Sequence, residues 1–291
     1  MNRLFVLAAV LMTGLVMADE VDEVATVYSG GEVEIANTAG SVEVKGWERD
    51  EVAVSGSVDG NGRLEFTPDL EKRHTLIRVV DEHSRDVEGA DLEIKVPVLS
   101  RLNISTVSAE ITVEGVKGRQ RLQSVSGDLE SETWGEDVEA RTVSGDIVMK
   151  SRDGAGVLTL TTVSGDASVE MSGGEVIIAS VSGDLELSLE NADRARLRTT
   201  SGDMGIKASL ADRSRFDIET INGDLEIVID GGVNAEFDVE TFNGDIDNCF
   251  GPESRRISDY APGNELRFVE GDGESDVRIK TMNGDVYLCN E

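Results

Sequence analysis

The chain has 291 residues, 39% of them hydrophobic but only 4% aromatic, with 31 Gly against 4 Pro. This composition supports a folded core made of many short elements closed by Gly turns, and argues against a disordered chain or long helices. A formal net charge of −31 at pH 7 repels phosphate backbones and anionic headgroups, so no nucleic acid and no membrane surface is expected as a partner, whereas cations remain open.

Arg3 precedes an apolar run from Leu4 to Ala18, and Val16 and Ala18 hold the small-residue positions before a cleavage site at Ala18/Asp19. Residues 1–18 are therefore expected to be a signal peptide. The alternative, a membrane anchor, needs roughly 20 apolar residues, and here Asp19, Glu20, Asp22 and Glu23 follow at once. No Cys follows the run and no second apolar segment occurs. The expected protein is secreted across the inner membrane, periplasmic or extracellular, with no membrane insertion after signal cleavage.

Residues 19–105 read as strand-rich but irregular, with the corner-like segment NTAGSVEV (37–44) and strand candidates around 52–54, 64–66, 75–80 and 92–98. No Pro-, Ser- or Gly-rich linker separates them from the residues after 105. They are expected to open the same stack.

Residues 106–249 carry a repeat: TVSAEI, SVSGDL, TVSGDI, TVSGDA, SVSGDL, TTSGDM, TINGDL and TFNGDI, with TMNGDV returning at 281–286. From Ala109 through Gly127, Gly145, Gly165, Gly183, Gly202, Gly223 and Gly244 the central residues recur every 18 to 21 positions. That period fits a coil of two short strands and two turns. An inward column is expected before each corner (Leu122, Ala140, Leu160, Ile178, Leu197, Ile218, Val239, Ile279). A second follows it (Leu129, Ile147, Ala167, Leu185, Met204, Leu225, Ile246, Val286). One coil cannot bury such a face alone, so the coils must stack. The predicted fold class is all-β, a single-stack β-solenoid resembling a parallel β-helix, with about 18–21 residues per coil.

Within the corner, Gly is expected where the backbone needs positive φ, and the Thr/Ser column is expected to form a hydroxyl ladder between coils. The Asp after each Gly is harder to place, because carboxylates about 4.8 Å apart repel. Solvation, hydrogen bonds to corner amides, or calcium would each relieve that, although the nonapeptide spacing of calcium-loaded β-rolls is absent.

Residues 250–264 lack alternation and contain Gly251, Pro252, Pro262 and Gly263, which predicts a loop excursion; residues 265–291 then read as a closing coil of the same unit. Cys249 and Cys289 each lie five residues after their corner Gly. Adjacent coils would bring them within disulfide distance, whereas one intervening coil would double the separation to about 9.6 Å. A disulfide clamping the last coil is expected.

No catalytic motif appears: no GxSxG, HExxH, P-loop or dinucleotide fingerprint, and His74 and His83 stand apart in the irregular region. No catalytic, cofactor-binding or metal residue is assigned, and no cofactor is expected. With 58 Asp and Glu, paired carboxylates carry no information.

GEVEIANTAGSVEVKGW near the start, LEIKVP, the serial VSGD and NGD corners and the closing GDGESDVRIKTMNGDVYLC together resemble the bacterial putative-adhesin β-strand-repeat family, over nearly all of residues 30–289. The resemblance implies an envelope-facing solenoid with an adhesive or binding role, and brings no catalytic residues. The expected function is a non-catalytic binding or scaffold protein of the cell envelope with an unknown envelope or extracellular protein partner. The alternatives are a calcium-stabilised solenoid using the Asp column and a β-helix enzyme acting on acidic polysaccharide.

Overall fold

The computed structural model describes residues 19–60, 62–81, 89–154, 156–258, 260 and 262–290; the expected signal peptide lies outside the described residues. Among them no helix occurs, and 23 strands join in one mixed sheet.

The repeat accounts for the middle of the molecule. Each unit contributes an approach strand, a corner and an exit strand, which together form a rung. In the approach strands Ala140 stands opposite both Leu122 and Leu160, Leu160 opposite Ile178, and Ile178 opposite Leu197, all in parallel register. In the exit strands Ile147 pairs with Leu129 and Ala167, and Ala167 with Leu185. Every residue of both expected inward columns is buried, and they belong to one hydrophobic core. From residue 101 to residue 229 the rungs stack in sequence order.

Both ends depart from that order. At the N-terminal end, Glu32–Trp47 is already a full rung, in register with the next through Ile35 opposite Ile104 and Gly40 opposite Ala109. Regular pairing therefore begins well before residue 106. The rung beneath it comes from later in the chain: His74–Asp81 pairs parallel with residues 32–36, and Ala90–Pro97 with residues 40–47. Antiparallel strands close this end, Gly62–Asp69 on His74–Asp81 and Glu51–Val58 on Ala90–Pro97, with Asp19–Thr26 outermost on Glu51–Val58.

The C-terminal end mirrors this. Ser275–Asn283 lies between residues 215–222 and Ala235–Asn243, parallel to both. Val286–Asn290 likewise lies between Leu225–Ile229 and Ile246–Asn248. The last rung in sequence is thus the second from the end in space. The closing coil expected over 265–291 is divided: Asn264–Glu270 runs antiparallel along the outer edge of Ala235–Asn243, and the rung itself starts at Ser275. The excursion also pairs, Arg255–Arg256 meeting residues 264–265 antiparallel. Strand alternation has the same period of two in either direction, so ELRFVE reads identically as a parallel rung or an antiparallel edge. Antiparallel edge strands end both ladders at the N-terminal end and the approach ladder at the C-terminal end.

Candidate functional site

The corners align along one narrow edge of the stack, and each of their columns has a distinct physical role. Gly is required there first because of close approach: a Cβ on Gly127 would stand 2.0 Å from the Ala109 carbonyl oxygen, and one on Gly183 would stand 2.1 Å from that of Gly165. Positive φ adds to this at Gly183 (131°) and Gly223 (144°), but Gly127 and Gly145 are not among the positive-φ glycines. Contact between stacked backbones, more than turn geometry, selects the residue.

The hydroxyl ladder expected along the Thr/Ser column forms at one step, where Thr106 Oγ1 donates to Ser124 Oγ at 3.0 Å. Elsewhere the hydroxyls meet backbone groups: Ser124 and Thr142 accept from the amides of Gly127 and Gly145 in their own corners at 2.8 and 3.0 Å, and Thr241 donates to the Gly284 carbonyl of the adjacent rung at 3.1 Å. Those of Thr162, Ser180, Thr220 and Thr281 are buried without a hydrogen-bond partner. The shared property of this column is inward packing.

The Asp column is a hydrogen-bond ladder. Asp146 donates its amide to Asp128 Oδ1 at 2.9 Å, and Asp166, Asp184, Asp203 and Asp224 each donate to the Oδ1 of the preceding rung's Asp at 2.8 Å. The ladder then runs from Asp224 to Asp285 to Asp245, following the spatial order of the rungs. A carboxylate accepting an amide makes a charge-assisted bond, which offsets the repulsion between neighbouring charges. Among the described residues no group of three or more His, Cys, Asp or Glu is placed to hold a metal ion.

Beside the Asp ladder runs an exposed apolar column that the sequence reading missed. Val107, Val125, Val143, Val163, Val181, Ile221, Met282 and Phe242 are 44 to 52% exposed, interrupted by Thr200. The signal was available: the Thr or Ser before each of these points inward, so by strand alternation the next residue points outward, where an apolar side chain is unexpected. At the C-terminal end the column meets the excursion. Ile221, Met282, Phe242 and Ile257 there line a groove of about 620 Å³ with Thr200. Cross-rung ion pairs stand at its rim, Arg198–Glu219 at 3.1 Å and Lys280–Glu240 at 3.0 Å. The hydrogen bond from Lys280 holds Glu240 below the usual carboxylate range, with Arg267 acting in the same direction against desolvation.

The structure joins Cys249 to Cys289 in a disulfide with Cα atoms 4.8 Å apart, on adjacent rungs. His74 faces Glu34 at 3.0 Å near the N-terminal end, and His83 lies outside the described residues.

No curated protein matches the chain. Solved structures similar to it include a putative adhesin from Bacteroides fragilis NCTC 9343 (10% identity, TM-score 0.38, covering 93% of this chain and 97% of that one). Others are a putative lipid binding protein from Parabacteroides distasonis ATCC 8503 (12% identity, TM-score 0.33, 92% and 96%), and a putative cell adhesion protein from Clostridium sporogenes ATCC 15579 (8% identity, TM-score 0.30, 94% and 100%). The model of the family described as Toastrack DUF4097 matches residues 19–194 and again residues 174–288. These overlapping matches span both irregular ends as well as the corner series, and the chain belongs to the Toastrack DUF4097 family.

Proposed function

We propose that this chain is an exported, non-catalytic binding or scaffold protein of the cell envelope, a single-stack solenoid whose rigid corner edge docks a protein partner. The observation that carries this is the pairing of two columns along that edge, one of half-exposed apolar side chains and one of aspartates. Contiguous exposed apolar surface marks interaction sites. The flanking carboxylates select a partner whose apolar contact surface is bordered by Lys or Arg. Rungs held by backbone ladders keep both columns in fixed register, so binding costs little ordering entropy.

The test is native crosslinking capture from envelope extracts of a bacterium encoding the chain, using wild type and a Val143→Lys/Val163→Lys variant. Both positions are 44% exposed, so the variant should fold. The expected result is a reproducible partner that wild type retains, that added salt weakens, and that the variant loses. A partner held equally by the variant, or no reproducible partner, sinks the edge as the binding surface.

A further inference from the structure

We propose that the rung formed by residues 275–290 is a keystone for the C-terminal end, and that the Cys249–Cys289 disulfide is its lock. This goes beyond the binding role and does not depend on it.

The outer part of this end is a unit of its own. Ala235–Asn243 and the antiparallel Asn264–Glu270 pair along seven residues. Phe237, Phe250 and Phe268 then tie outer rung, excursion and edge strand together, with ring centroids 4.6 to 5.4 Å apart. Within the two ladders this unit has no pairing to residues 215–229. Every ladder contact passes through the inserted rung, which pairs with the stack on one side and with the outer rung on the other. Val277, Ile279, Val286 and Leu288 of that rung are at most 1% exposed, so it fills a slot completely.

Spatial order has two consequences. Breaking the outer rung should leave the keystone seated on residues 215–229. Breaking the keystone should release both rungs, because the outer rung then loses its floor. The disulfide adds a covalent link across the one interface that holds the outer unit, since Cys249 leaves the outer rung and Cys289 ends the keystone. Reduction should therefore loosen the outer rung first, while the keystone stays seated on residues 215–229. It should also dismantle the groove, whose apolar walls come from the stack (Ile221), the keystone (Met282), the outer rung (Phe242) and the excursion (Ile257).

Amide hydrogen exchange on the full mature chain tests this, with residues 129–190 as the internal standard of foldedness. In Ile279→Asp, exchange of 235–248 should rise about a hundredfold or more, whereas in Val239→Asp exchange of 275–283 should rise less than about tenfold. In wild type, reductant should raise exchange in 235–248 more than in 275–283 while 129–190 stays unchanged. Protection of 235–248 persisting in Ile279→Asp overturns the keystone, because the outer rung then docks directly on 215–229. Equal exposure in the two variants overturns it as well. Unchanged exchange on reduction overturns the lock.

Discussion

The rungs between residues 101 and 229 and those between 235 and 290 share one repeat, one corner and the same buried columns, yet they are assembled differently. In the middle each rung docks on its predecessor, and an error at one corner is transmitted to both neighbours. At the C-terminal end the order is interrupted, and the outermost rung depends on a segment that follows it in the chain. The N-terminal end repeats the arrangement, with residues 32–47 between the later strands His74–Asp81 and Ala90–Pro97 on one side and residues 101–114 on the other. Both ends thus bury an early or late rung beneath an internal one and finish in antiparallel strands. A parallel ladder left open would offer unpaired edge groups to other chains, and the antiparallel caps shorten that edge. Among the described residues, the C-terminal end alone adds a disulfide and an aromatic cluster.

The largest expected difference between the regions is at the corner glycines. Gly183→Val would drive a side chain into the Gly165 carbonyl at a φ of 131°, and should cost on the order of 4 kcal/mol of global stability. Gly244→Val meets the Gly284 carbonyl in the same way but should unfold only the outer unit, leaving the main thermal transition in place. Gly205→Ala, which meets nothing within 4 Å, is the control and should shift the melting temperature little. If the Gly244 variant lowers the main transition as much as the Gly183 variant, the two regions are one cooperative unit.

Next in size is the disulfide. Its 40-residue separation makes Cys289→Ser worth up to about 4 kcal/mol of loop-closure entropy, expressed at the C-terminal end alone. Calorimetry of the variant should show an early transition split from an unchanged main one. A single transition lowered as a whole would contradict the division.

A smaller effect separates the explanations of the Asp column. Asp184→Ala removes the acceptor for the Asp203 amide and should cost about 1 kcal/mol. Asp184→Asn keeps an acceptor oxygen and should restore most of it. If Asn behaves as Ala does, or if EDTA lowers the wild-type melting midpoint, charge or calcium matters more than the amide ladder.

Acid should act last and weakly, again at the C-terminal end. Glu240 has a depressed pKa in the folded state, owing first to the Lys280 hydrogen bond, so its contribution is fully present above the unfolded value of about 4.3. It is lost as pH falls through the folded value. Lys280→Met should flatten that acid dependence of the cap's exchange rates, and an unchanged profile would remove Glu240 from the account.

Much of this was legible in the residues. Period-two alternation about a fixed Gly-Asp corner placed both inward columns, from Leu122 to Ile279 and from Leu129 to Val286, and gave Cys249 and Cys289 the same phase, while their adjacency came from the order of the rungs. The apolar edge was equally legible, since an outward position occupied by Val, Ile, Phe or Met in eight of nine copies is a local property of the sequence. The Asp ladder was open among several explanations, because whether a carboxylate reaches the next rung's amide depends on the stacking distance and the corner's conformation.

By itself, then, the sequence determined which residues face inward and where the chain turns, because burial and turn geometry act over a few neighbouring residues. The tertiary structure alone decided the order in which rungs stack and the direction of Asn264–Glu270. Repeated rungs present nearly identical faces, so any one could dock on any other, and alternation reads the same forwards and backwards. The choice lies in long-range terms: the reach of the connecting segments, the Phe237–Phe250–Phe268 cluster, and the disulfide that joins the last rung to the one outside it.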